Sequence, residues 1–142
     1  MSLRIRLAAL SLGLAVVTAA CGSIGGAPIM APTLGEQRSE AAAITIVASW
    51  LATGTPAVRV VMDTHSGDLD GFDLATLARV RIDGGPWVAP SAWDAPKGGH
   101  HREGTLAFAA MDRSSLDTAK LIELEMRDVA VPSRMLRWAR SQ

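Results

Sequence analysis

The chain has 142 residues, 14 basic and 14 acidic, for a formal net charge of zero. That length fits a single domain of roughly 100–200 residues. The balanced charge gives no electrostatic reason to expect nucleic acid or an anionic surface as partner.

Residues 1–20 read as an export signal. Arg4 and Arg6 supply the positive start, Leu7–Val17 an apolar run, and Thr18-Ala19-Ala20 the small residues before Cys21. The run is shorter than the roughly 20 residues that cross a bilayer. Cys21 is the only cysteine, so no internal disulfide is available in an oxidising compartment. Val17-Thr18-Ala19-Ala20-Cys21 resembles the lipobox of bacterial lipoproteins. The resemblance implies cleavage before Cys21, acylation of its sulfur with diacylglycerol, and a lipid bilayer as partner. It also implies an extracytoplasmic place in the bacterial cell envelope. Each buried CH₂ of such acyl chains contributes about 0.8 kcal/mol to anchoring.

Residues 21–43 read as the lipidated cysteine and a flexible tether. Gly25-Gly26, Pro28 and Pro32 interrupt them and no periodicity is sustained, with Glu40–Ala43 as a short transition.

From Ile44 the pattern becomes period two, the signature of half-buried strands. Ile44, Ile46, Ala48 and Trp50 share one face, and Val58, Val60 and Met62 the next. Asp73 is placed to cap one helical turn over Leu74–Leu77. Ala78, Val80 and Ile82 alternate with arginines and run into Asp83-Gly84-Gly85, a hairpin turn signal. Trp87-Val88 and Ala92-Trp93 read as short extended pieces. Leu106 with Phe108, then Ile122, Leu124 and Met126, then Leu136 and Trp138 continue the alternation.

About seven short strands between Gly, Pro and Asp turns predict an all-β fold over residues 44–142. The specific expectation is a small antiparallel immunoglobulin-like β-sandwich with one charged, wet face on each strand.

The chemistry-bearing residues concentrate between Met62 and Glu103, which hold every histidine. His65 follows one predicted strand and His100-His101 precede another, so strand ends at a common rim would bring three imidazoles together. Neutral imidazole is the commonest metal ligand, and Gly98-Gly99 frees the backbone ahead of the histidine pair. Asp63 or Met62 would complete four ligands; a carboxylate suits zinc and a thioether suits copper. The alternative is that the histidines, with the Thr64 and Ser66 hydroxyls, brace two loops.

Asp68, Asp70 and Asp73 suggest calcium, but aligned to an EF-hand loop they put Leu77 where a bidentate Glu is required. They read as turn and cap residues. Asp63-Thr64-His65-Ser66 and Gly98-Gly99-His100-His101 resemble a small domain of bacterial exported proteins that carries no assigned activity. No nucleophile elbow and no phosphate-cradling glycine loop is present. The expectation is a non-enzymatic binding domain that takes copper or zinc through His65, His100, His101 and Asp63. The alternative is a structural or protein-interaction module.

Overall fold

The structure is a computed structural model that describes residues 34–52 and 54–140. The predicted signal, Cys21 and the greater part of the predicted tether lie outside those residues.

The elements in chain order are β1 (Gln37–Ala41), β2 (Ile44–Trp50), β3 (Ala57–Thr64), α1 (Leu74–Leu77), β4 (Ala78–Ile82), β5 (Ala92–Trp93), β6 (His101–Ala107), α2 (Arg113–Thr118), β7 (Leu121–Arg127) and β8 (Ser133–Ala139). They form two sheets, one ordered β1-β2-β3-β6-β5 and the other β4-β7-β8. Every strand pair is antiparallel. The fold is all-β, two sheets enclosing one core.

The alternation read from the sequence sets that core. Ile44, Ile46, Ala48 and Trp50 of β2 are buried, and the residues between them are half-exposed. Val58, Val60 and Met62 of β3 face Ile122, Leu124 and Met126 of β7 and Leu136 of β8 across the interior. Trp50 packs tilted on Phe108 at 5.9 Å and edge-on to Trp138 at 5.8 Å. Each buried side chain of this size contributes about 1.5–3 kcal/mol.

Two local signals form as expected. The Asp73 carboxylate accepts from the Ala75 amide and caps α1. Asp83 and Gly84 both hold positive φ, +50° and +73°, and the Gly85 amide donates to the Ile82 carbonyl. This is a type I′ turn, and it folds Val88 back to bridge Val80.

Three features differ from the sequence reading. The sheet begins at Gln37, inside the stretch assigned to the tether, so the folded unit starts before residue 44. Gln-Arg-Ser-Glu-Ala has no apolar periodicity because β1 is an edge strand, where charge is favoured. Its turn into β2 is made by Ala42 and Ala43 at φ +46° and +62°, a conformation usually announced by Asn-Gly.

The second difference is on β7. Its outward Glu123 and Glu125 were expected to be wet, yet both are buried. Cross-strand arginines cover them: Arg81 and Arg137 donate to Glu123, and Arg79 and Ser133 donate to Glu125. The Trp87 ring stacks on Arg79 and Arg81 at 4.3 and 4.5 Å. Hydrogen bonds from Arg81 and then Arg137 hold the Glu123 carboxyl below the usual carboxylate range. Burial pushes Glu125 up, and the Ser133 and Arg79 hydrogen bonds overcome it to leave a net lowering.

The third difference is α2, a short helix in a stretch where the sequence shows no sustained periodicity. Asp112 caps it by accepting from the Ser114 amide, and Leu116 is its buried contact.

Candidate functional site: the histidine rim

Strand registers decide which loops share an end of the sandwich. Ile44 pairs with Thr64, Asp63 with His101, Ala78 with Met126, and Arg127 with Ser133. Arg134 at the start of β8 donates to the Ala41 and Ile44 carbonyls of the β1–β2 turn. Both sheets therefore contribute these ends to one rim. The loop after β3, the loop before β6, the β1–β2 turn and the β7–β8 turn all meet there. Both ends of the described chain lie at the opposite rim: the Trp138 indole donates to the Gly35 carbonyl, and the Arg140 amide donates to the Lys120 carbonyl.

Two buried arginines organise the histidine rim. Arg102 is 6% exposed. Its guanidinium donates to the carbonyls of Leu69 (3.0 Å), Phe72 (2.7 Å), Ala95 (3.1 Å) and Pro96 (3.0 Å). Two loops far apart in sequence thus close around one planar cation. Arg134 is 3% exposed and does the same between Val129, Ala41 and Ile44, with the Ser39 hydroxyl alongside. Burial pulls the Arg134 guanidinium below the usual arginine value. Arginine suits this position because its fixed fork of donors satisfies several carbonyls at once.

Asp70 adds a second tie. Its carboxylate accepts from the Gly98 amide at 2.9 Å and the Gly99 amide at 3.2 Å. The Gly98 hydrogen bond is the main reason its carboxyl lies below the usual range. Asp68 accepts from the Asp70 amide and shapes the same turn. Leu69 is buried beneath it and donates its amide to the Gly99 carbonyl. Gly104, two residues beyond Arg102 on β6, lets the loop segment after β5 approach: a Cβ there would lie 2.5 Å from the Ala95 nitrogen.

The predicted site residues are close in the fold but do not form one cluster. Asp63 and His101 pair across β3 and β6, with carboxylate and Nδ1 2.5 Å apart. Both lie in strands, not in turns, on the outer face of the larger sheet, about half exposed. His65 is exposed and lines a polar hollow of about 480 Å³ beside Arg38, Glu40 and the Ala42-Ala43 turn. His100 is exposed in the turn before β6, and its carbonyl accepts from the Thr64 amide. Among the described residues no group of three or more His, Cys, Asp or Glu side chains is placed to hold a metal ion. The expected set of His65, His100, His101 and Asp63 is thus corrected to a single His101–Asp63 pair. Pleat geometry is the reason: His101 is fixed in β6 with its ring outward, while His100 and His65 belong to separate turns. Met62, the other possible ligand, points inward and is fully buried.

The bracing role assigned to the histidines falls to Arg102, Arg134, Asp70 and the Thr64 hydroxyl, which donates to the Ala43 carbonyl at 3.0 Å. The arginines had a signal in the sequence. Arg102 precedes Gly104, Leu106 and Phe108 in the inward phase, and Arg134 precedes Leu136 and Trp138 in the same way.

The chain matches no protein-family model, no curated protein and no solved structure.

Proposed function

We propose that this chain is a bacterial lipoprotein, anchored to a membrane of the cell envelope through acylated Cys21. Its sandwich is a non-enzymatic module that binds a protein partner through the histidine rim. The observation that carries this reading is the placement of the two ends. The described chain begins beside Trp138, at the rim opposite the histidines. A lipid anchor upstream of that point leaves the histidine rim facing away from the bilayer.

Strand order supports an immunoglobulin-like module. With β1 set aside, the sheets read β2-β3-β6-β5 and β4-β7-β8, the ABED and CFG order of constant-type domains. The histidine rim carries the loops equivalent to B–C and F–G, the end that variable domains use for recognition. The likeness is one of strand order alone. The arginine-tied loops add to the recognition reading, because ordered loops lose less entropy on binding. The exposed His65, His100 and Lys97 stand at the tips of those loops.

The anchor is tested by Cys21→Ser. The variant moves from the membrane to the soluble fraction and incorporates no labelled palmitate. A variant that stays membrane-bound contradicts the anchor.

A further inference from the structure

The outer face of the larger sheet is covered by no other element among the described residues, and its registers define a grid. Glu40, Thr45, Asp63 and His101 form the row nearest the histidine rim. Arg38, Val47, Val61 and Glu103 form the next, and Ser49, Arg59 and Thr105 the third. At the centre, Val47 and Val61 are half-buried and directly opposite each other. Arg38, Glu40, Arg59, Glu103, Asp63 and His101 surround them, with side chains 43–62% exposed.

We infer that this face pairs with a second copy of the chain about a two-fold axis parallel to the strands, between β2 and β3. Such an axis sets β1 of one copy over β6 of the other, and β2 over β3. Arg38 then meets Glu103 of the second copy, Glu40 meets His101, and Val47 meets Val61. Ser49 meets Arg59 and Thr45 meets Asp63. No like charges oppose one another. The other in-plane axis, across the strands through the central row, sets Arg38 on Arg38 and Glu103 on Glu103, which is repulsive. The charge pattern therefore selects one orientation.

The pairs these side chains make within one copy do not block the arrangement. Arg38–Glu40 and Arg59–Glu103 are exposed ion pairs, worth about 0–1 kcal/mol each, and His101 and Asp63 make an exposed hydrogen-bonded contact. Strand spacing and rise give the face a span of roughly 19 by 23 Å. That is smaller than the about 800 Å² per partner of a standard interface, so the dimer is a weak one, in the micromolar range. Aligned face-to-face packing of two twisted sheets accommodates the geometry.

The test is sedimentation equilibrium of the whole chain carrying Cys21→Ser, over about 5–500 µM. The dimer forms with a dissociation constant on the order of 10–100 µM. Arg38→Glu alone and Glu103→Arg alone each weaken it at least about tenfold, and the double variant, with the charges exchanged, returns to within about threefold. Thermal melts confirm that all three variants fold. A chain that remains monomeric at 500 µM overturns the proposal, as does a dimer unaffected by the single charge reversals. A double variant no tighter than the singles overturns the orientation on which the proposal rests.

Discussion

Asp70 and Gly98 lie 28 residues apart in the chain, yet the Asp70 carboxylate accepts the Gly98 amide at 2.9 Å and closes the histidine rim. The tie depends on ionisation. The folded carboxyl is depressed, chiefly by the Gly98 amide, so its contribution is present above the unfolded value. It is lost as pH falls through the lower, folded value. Asp70→Asn keeps the size and removes the charge. Amide exchange at Gly98 and Gly99 then rises by about tenfold or more at neutral pH, with β2 and β7 unaffected. Hydrogen-exchange NMR reads this directly. Unchanged protection at the two glycines would show that the rim does not need the carboxylate.

Arg102 supports the same loops from beneath. Arg102→Met fills similar volume but strands the carbonyls of Leu69, Phe72, Ala95 and Pro96, which are its four acceptors. A loss of about 2–4 kcal/mol is expected in urea unfolding. Arg102→Lys recovers less than half of it, because one ammonium does not reproduce the planar fork. Full recovery by lysine would mean that only the charge matters.

On the smaller sheet, Glu123 lies between Arg81 and Arg137 with its side chain 5% exposed. Its folded carboxyl is lowered by those two hydrogen bonds, Arg81 first. Its contribution is therefore full above the ordinary carboxylate range and fades on acidification below it. Glu123→Gln lowers stability at pH 7 and flattens the acid limb of the stability–pH curve between about pH 5 and 3. Thermal melts across that range check both parts. An equal loss at pH 3 and pH 7 would contradict the ionic account.

Most of the fold was legible because burial imposes a period of two. Ile44–Trp50 and Val58–Met62 alternate in the sequence as they do between core and surface, and Ile122, Leu124 and Met126 of β7 join the core as their spacing implies. The Asp83-Gly84 turn and the Asp73 cap were legible because each conformation demands a particular residue type. β1 was not, since an edge strand of Gln, Arg, Ser and Glu buries almost nothing that hydropathy registers. Its Ala42-Ala43 turn lacks the residues that its positive φ values favour.

The rim was half legible. The sequence reading brought His65 and His100-His101 to one end, which the β3–β6 register does. It did not place the rings, because side-chain direction depends on where β6 begins. His101 begins the strand and is held against Asp63, while His100 lies in the turn before it. Arg102 and Arg134 went unnoticed because arginine in an inward phase looks like an interruption of the pattern. Here it is the group that satisfies the loop carbonyls.

We propose that the histidine rim, held away from the bilayer, is the recognition surface. Photo-crosslinking in cells tests it most directly, with a benzophenone amino acid at His100 in one anchored chain and at Asp117 of α2 in another. A discrete adduct with a protein other than this chain is expected from position 100, and none from position 117. An adduct from position 117 alone, or no adduct from position 100 or from His65 replaced in the same way, would contradict it.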